Sequence, residues 1–451
     1  MSSIFAMRDY RHLFGAQIVA LFGTGLATVA LGLLAFELAG PRAAAVLGTA
    51  LALKMVTYVV VAPVAAAFAD RLPRRSMLVG LDVVRAAVVI VLPFVEHVWQ
   101  VYVLIVILQS ASAAFTPAFQ AVLPDLLPDR EQYTRALSYS QLAATMETLL
   151  SPLCAAVVMA LVSFHWLFVA TSVGFVCSAA LVMTSRIPGA TAPEGDAHVF
   201  DKTVAGLRIF AATPRLRGLV GMDLVVAAVG SVVIVNTVNY VRETLGRSDT
   251  DVAVLLACNG FGVMLAALSV PALLRRVHER RVMLSGCVVL VCAVIAAVVL
   301  SWAASAAWCW TAAAAIWAVI GVGTGLVLTP TGRVLARSSS STDRPAVFAA
   351  HFSLSHACWL IAYPVAGWGA TMLGYTPTWM LLTALAAAGA WVARSSWPRR
   401  DPEVLDHVHV GPGVGEHVTH AVPLGDGRWR HAHPFVIDRE RDRWPDLARS
   451  T

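Results

Sequence analysis

Long apolar runs broken by short polar segments organise this chain from one end to the other. A helix needs about 20 largely apolar residues to cross ~30 Å of hydrocarbon. Lipid offers no partner to an unpaired backbone group, so such runs must be helices. In the first half the pattern predicts spans near 13–38, 44–69, 76–95, 98–119, 136–162 and 165–184. In the second half it predicts spans near 216–241, 251–274, 282–301, 306–330, 346–371 and 376–394. The first run exceeds the roughly 7–15 residue core of a cleavable signal, so it reads as a retained span. Between the halves, Pro188, Gly189, Pro193 and Gly195 mark a loop. Phe200, Val204, Leu207 and Phe210 then recur at helical spacing, predicting an amphipathic helix on the membrane surface. After Arg400 the apolar signal stops. The predicted architecture is an all-α membrane protein of twelve transmembrane helices in two six-helix bundles. The bundles cover 1–185 and 216–395, with a cytoplasmic linker at 186–215 and a tail at 396–451.

Composition agrees. Of the 451 residues 58% are hydrophobic and 13% charged, against about 25% charged in soluble domains. So little polar surface cannot coat a water-facing globule, and the apolar surface must meet the lipid bilayer. The formal charge of +6 is not a nucleic-acid signature, because the basic residues occupy short loops. Arg8, Arg11, Arg71, Arg74, Arg75, Arg130 and Arg135 fall on one side with the linker. On the same side fall Arg275, Arg276, Arg280, Arg281, Arg333, Arg337, Arg344, Arg394, Arg399 and Arg400. The opposite loops hold Arg42, Arg242 and Arg247. Positive-inside counting then puts both termini in the cytoplasm of a multi-pass protein of the cytoplasmic (inner) membrane. Seven cysteines lie in apolar runs without a CxxC pair, the pattern of small core residues and not of a disulfide framework. No nucleotide-binding loop, HExxH or surface carboxylate cluster points to an enzyme, and no cofactor is implied. The chain is read as a monomer.

Six spans, a linker and six more is the two-repeat plan of a rocker-type transporter, with substrate held between the halves at mid-membrane. The second and third spans are joined by Ala66-Ala67-Phe68-Ala69-Asp70-Arg71-Leu72-Pro73-Arg74-Arg75. This resembles the Gly-x-x-x-Asp-Arg-x-Gly-Arg-Arg signature of the major facilitator superfamily. Asp70, Arg71, Arg74 and Arg75 match; Ala66 and Pro73 replace the glycines. The resemblance implies a cytoplasmic gate in which Asp70 pairs with arginines or caps a helix N-terminus. A plain topological anchor is the other account of the arginines. The corresponding second-half loop, Arg275 to Arg281, keeps charge but lacks the aspartate. Asp82 and Arg85, spaced i, i+3 near the cytoplasmic end of the third span, can meet beside that gate. Pro117 to Pro128 and Thr213-Pro214-Arg215-Leu216-Arg217 are similar to segments of the bacterial branch that exports siderophores and drugs. Leu150-Ser151-Pro152 resembles its antiporter motif, with serine and alanine where glycines stand.

Charges at mid-membrane cost at least ~2.5–3.5 kcal/mol on insertion scales and are functional candidates by default. Glu147, about eleven residues into the fifth span, is the candidate for proton coupling. A structural Glu bonded to a neighbouring helix is the alternative. Lys54, about ten residues into the second span, can bind an anionic group or act as counter-charge to a carboxylate. Gln17, Gln109, Asn236, Asn239 and Asn259 can line the substrate cavity, and inter-helix hydrogen bonding accounts for each equally well. Asp223 is expected near the cytoplasmic end of the seventh span. The eleventh span carries His351, His356 and Cys358, residue types that ligate transition metals. His351 and Cys358 share a helix face but lie about 10 Å apart along the axis, and His356 points elsewhere. His356 can instead relay protons.

Six of the thirteen histidines follow Arg400: His407, His409, His417, His420, His431 and His433, among Asp406, Glu416, Asp426 and Asp438. Neutral imidazoles with carboxylates suit nickel, cobalt, zinc or copper. Without cysteine this is no structural zinc finger, and a disordered tail without ligand is the alternative. Histidine-rich tails of some nickel exporters in the superfamily give the metal a place as substrate. The whole reading is a proton-coupled exporter whose substrate is a divalent transition metal or its chelate. A hydrophobic drug-like or siderophore-like compound is the alternative cargo, and a non-transporting metal sensor a distant one.

Overall fold

The computed structural model describes residues 4–68, 73–127, 161–187, 199–303, 308–339, 343–399, 401, 404–410, 422–425 and 428–434, with single positions between 132 and 159. Its first-half helices are α1 Arg8–Ala39, α2 Ala43–Phe68, α3 Arg74–Val91, α4 Val98–Leu126 and α5 His165–Thr184. The linker forms α6 Val199–Ala212. The second half holds α7 Pro214–Thr244, α8 Asp249–Leu273, α9 Glu279–Trp302, α10 Trp308–Arg337, α11 Arg344–Leu373 and α12 Tyr375–Ser396. The predicted span at 136–162 lies largely outside the described residues.

Among the described residues, ten stretches are long and apolar enough to cross a membrane. The first runs for 54 residues, far more than one crossing needs. It divides at Gly40, whose φ of +49° is open to a residue without a Cβ. Pro41 follows, and the chain turns back as α2. Elsewhere side chains set the helix starts. Ser248 and Asp251 form a reciprocal capping box on α8, and Gln100 closes the first turn of α4 by accepting from the Glu96 and His97 amides, each at 2.9 Å.

With no hydrophobic drive between helices in lipid, close approach of small residues supplies the packing. A Cβ added at Gly321 of α10 would stand 2.0 Å from the Asn259 carbonyl of α8, and one at Gly221 of α7 2.6 Å from the Gly389 carbonyl of α12. Large apolar side chains such as Phe94, Leu161, Leu268 and Trp391 are exposed on the outside of the bundle. Two π-helical turns, Val232–Asn236 and Tyr240–Thr244, interrupt α7. Such turns frequently mark functional or specially packed positions.

The halves meet where α1 ends and α2 begins, here called the Gly40 end. Asn239 of α7 donates to the Gly40 carbonyl at 3.1 Å, and Trp368 of α11 donates to the Thr49 hydroxyl of α2 at 3.1 Å. Gly48 of α2 and Gly367 of α11 pack backbone against backbone. This seam continues along α2 and α11 to Tyr58, whose ring lies 5.9 Å from that of Phe352.

Two segments differ from the sequence expectation. The amphipathic linker helix forms, but it docks on protein: Ile209 and Phe210 are buried, and Gly206 packs on the backbone of α11 at Ala346. The tail contains a three-stranded antiparallel sheet, β1 Val404–Val410, β2 Val422–Gly425 and β3 Arg428–Pro434, in the order β1-β3-β2. The alternation Val404-Leu405-Asp406-His407-Val408-His409-Val410 has the period of a strand, and β-branched valine favours it.

Candidate functional site

Lys54, Tyr58 and His356 lie along the seam between α2 and α11. Lys54 and Tyr58 stand one helical turn apart on α2, so they share a face. Glu147 lies close enough to act on the charges of both. Its carboxylate is held against α1 at Gly25, where an added Cβ would meet Oε1 at 2.7 Å. Ser151, one turn further, packs on the same glycine and is buried. Glycine at 25 is what lets the helix carrying Glu147 come so near α1. The Tyr58 hydroxyl is hydrogen-bonded with Ser112 of α4.

Across the seam, the His356 ring of α11 stacks on Tyr58 with centroids 5.6 Å apart and planes at 16°. Its Nδ1 lies 2.7 Å from the Phe352 carbonyl. An amide-like donor at Nδ1 leaves Nε2 as the acceptor. Lys54 is within electrostatic reach of the same ring. Lys54 thus stands within electrostatic reach of a carboxylate of its own half and of an imidazole of the other. Beside them a cavity of about 20 Å³ is lined by Thr24, Thr28, Lys54, Gln109 and Ser112, room for a water molecule or two. Gln109 is buried, and its Oε1 has no hydrogen-bond partner among the described residues.

A second shell of charge lies deeper in the first half. Asp82 and Arg85 are almost wholly buried and bond to each other. Since α3 begins at Arg74, they lie ~12 and ~16 Å along it at 1.5 Å per residue. This is mid-helix and not the cytoplasmic end expected for a gate. Ser178 donates to Asp82 at 2.7 Å, and the Arg85 guanidinium lies 4.2 Å from the Phe115 ring and 4.5 Å from that of Phe175. Asp70 and Arg71 lie outside the described residues. Arg74 is buried at the start of α3, and Arg75 donates to the Met183 carbonyl of α5.

The other candidates are dispersed. Asn236 donates to the Ala366 carbonyl at 2.9 Å and accepts from Trp379 at 3.1 Å. Asn259 donates to the Trp317 carbonyl at 3.1 Å, and Gln17 accepts from Ser140 at 2.8 Å. With Asn239 on Gly40, these amides tie helices together. His351 pairs with buried Asp223 at 3.0 Å under the Phe210 ring, while Cys358 faces the Val220 carbonyl. His351, His356 and Cys358 therefore do not meet, and no group of three or more metal-ligating side chains occurs among the described residues. His407, His409, His431 and His433 lie on the tail strands; His417 and His420 lie outside the described residues.

Sequence reasoning missed a network at the end bearing the termini. Glu279, at the start of α9, pairs with Arg333 at 2.6 Å and Arg337 at 3.7 Å. Asp401, just beyond α12, accepts from Arg337 and from Trp397 at 2.9 Å and lies 3.6 Å from Arg215. An acidic residue in the first turn of a helix was the available signal for Glu279.

A family model described as Major Facilitator Superfamily matches residues 13–317. Macrolide efflux protein A of Streptococcus pyogenes is 29% identical over 181 residues, 39% of this chain and 44% of that protein. A protein of the same name from Enterococcus faecalis is 30% identical over 152 residues, 32% of this chain and 47% of that one. The matched region thus spans less than half the length of these curated relatives. The solved nucleoside transporter NupG superposes with a TM-score of 0.65 at 13% identity, covering 86% of this chain and 99% of that one, a likeness of fold.

Proposed function

The chain belongs to the major facilitator superfamily, and from that premise we propose that it is a proton-coupled exporter of hydrophobic organic compounds working by alternating access. As a member of a transporter family it moves its substrate and does not transform it. The observation that carries the coupling is that Glu147 stands within electrostatic reach of Lys54, with His356 on the facing half. With Glu147 ionised, Lys54 is its counter-charge and the first half is internally satisfied. A proton arriving on Glu147 frees Lys54, and the cation then needs a new partner or water. That change of partners alters the cost of opening the seam, which is how a proton can drive a conformational step. His356, whose Nε2 accepts, is the proposed relay between the seam and Glu147. The contact at the Gly40 end is the outer seal, on the reading that both termini face the cytoplasm.

The organic cargo is favoured by the macrolide efflux names of the relatives and by the aromatic cluster of Tyr58, Phe352 and His356 at the seam. The dispersal of His351, His356 and Cys358 gives a bare metal ion little to bind in the membrane. The alternative cargo, a divalent metal or its chelate, rests on the tail.

One experiment separates these readings. Accumulation of a labelled macrolide is measured in an efflux-deficient bacterium expressing the wild type, Glu147→Gln or empty vector, with nickel, cobalt, zinc and iron contents from the same cells. We expect the wild type to hold less drug and the mutant to match the vector. Lower metal with unchanged drug would transfer the cargo to the alternative. Equal export by wild type and Glu147→Gln would remove Glu147 from the coupling.

A further inference from the structure

The small cavity beside Lys54 has a one-sided chemistry. Its polar lining is Thr24 and Thr28 from α1, Gln109 and Ser112 from α4, and Lys54 from α2. A hydroxyl has a single proton to give, and each of the three hydroxyls gives it to its own helix. Thr24 donates to the Ala20 carbonyl, Thr28 to that of Thr24 and Ser112 to that of Leu108, each at 3.0 Å. What remains to the cavity is their lone pairs. The bond between Ser112 and Tyr58 must then run from the phenol to the serine. Gln109, 6% exposed, adds a buried Oε1 with no partner among the described residues. The rest of the wall is hydrocarbon, including Leu51, Leu92, Ile105 and Phe175. Acceptors enclosed by apolar side chains are costly to leave without a donor, and Lys54 is the cation among the lining residues.

We infer that this cavity is a second seat for the Lys54 ammonium, taken up when Glu147 no longer holds it, with Gln109 as the positioning residue. The seat, which rests on the proton-coupled reading above, is the new partner that reading requires. It fits in size and in number. A space of about 20 Å³ takes a group no larger than a water or two, and an ammonium is such a group. It carries three N–H donors on a flexible four-carbon stem. Gln109 Oε1 and the lone pairs of Ser112 and Thr28 offer three acceptors. Hydrogen bonds to a charged group are the stronger kind, so the seat can hold a cation that has lost its carboxylate. The charge of Lys54 also repels any outside cation from the same space. Occupancy of the seat bears on the seam. Ser112 accepts from Tyr58, whose ring stacks on His356 of the other half with centroids 5.6 Å apart. An ammonium arriving at Ser112 competes for that oxygen, so the position of Lys54 acts on an aromatic contact that joins the halves.

The chain has two lysines, Lys54 and Lys202, so Lys202→Arg leaves a single lysine to observe. The full-length Lys202→Arg protein is grown with lysine carrying ¹³C at Cε, purified in detergent, and its Lys54 signal followed by NMR at one fixed pH. Glu147→Gln, which cannot bear charge, is expected to shift that signal. Gln109→Leu should shift it again in the Glu147→Gln protein and leave it nearly unmoved where Glu147 remains, the mark of coupled sites. Gln109→Glu, which keeps an acceptor, should hold the seated signal in the Glu147→Gln protein. In cells, Gln109→Leu is expected to lower macrolide export at least ~10-fold, about the worth of one hydrogen bond to a charged group. Macrolide affinity in detergent should stay within about 3-fold, whereas a purely structural glutamine would lose both together. The seat is overturned if Glu147→Gln leaves the Lys54 signal in place, or if Gln109→Leu displaces it equally in both backgrounds or in neither. Export at the wild-type rate by Gln109→Leu overturns it too. Normal export by Glu147→Gln would instead fail the coupling reading, while the labelled lysine still shows whether the seat exists.

Discussion

Arg85→Met is expected to destabilise the first bundle by about 3–5 kcal/mol, the range for removing one partner of a buried ion pair. Asp82 is fully buried and would be left with the Ser178 hydroxyl as its described partner. The loss is electrostatic before it is steric: methionine fills much of the space between Phe115 and Phe175, but nothing offsets the stranded carboxylate. Combining Asp82→Asn with Arg85→Met should recover most of the stability, since no charge then remains. Arg85→Lys should rescue poorly, because a planar guanidinium stacks between two rings in a way an ammonium does not. Thermal melting in detergent, read by size-exclusion chromatography, distinguishes the variants. Should Arg85→Met melt like the wild type yet stop export, Arg85 would belong to the transport cycle instead of the bundle's framework.

That pair shows where the sequence was legible and where it was not. Apolar run length located the described spans, because the bilayer enforces one length and one backbone structure on every crossing. The i, i+3 spacing of Asp82 and Arg85 correctly paired them, since helix geometry is local. Their depth follows from the helix start at Arg74, which places both side chains in the middle turns of α3. Lys54 and Glu147 were singled out by the cost of their charge, yet nothing in the spacing of 54 and 147 says that they come within electrostatic reach of each other. That depends on Gly25 admitting the helix that bears Glu147. The asparagines were equally open to lining or bracing, and the choice is tertiary: Asn236 lies at a π turn and meets both α11 and α12. In the tail, counting histidines revealed a composition, whereas the strand register that orders them is a pairing between segments about twenty residues apart.

Gly48→Leu is expected to cut export while leaving the protein folded, because on the proposed alternating-access cycle the residue packs against the other half when the Gly40 end is closed. A Cβ at Gly48 would stand 2.7 Å from the Tyr363 carbonyl and 3.0 Å from the Gly367 Cα, and one at Gly367 2.5 Å from the Ala44 carbonyl. These neighbours are backbone, which cannot turn aside as a long side chain can. Overpacking costs about 1–3 kcal/mol, here borne by the closed form alone. A bias of that size shifts a two-state ratio by roughly 5- to 150-fold, so the seal would leak or fail to form. Gly48→Ala should give a smaller loss, and Gly367→Leu one as large as Gly48→Leu. Gly80→Ala, which meets nothing within 4 Å, should be neutral or slightly stabilising. The pattern matters more than any single value, since a bundle that merely unfolded would lose expression with its transport. Normal export by Gly48→Leu would show that the α2–α11 approach is not the seal, and the alternating-access assignment of the Gly40 end would have to be given up.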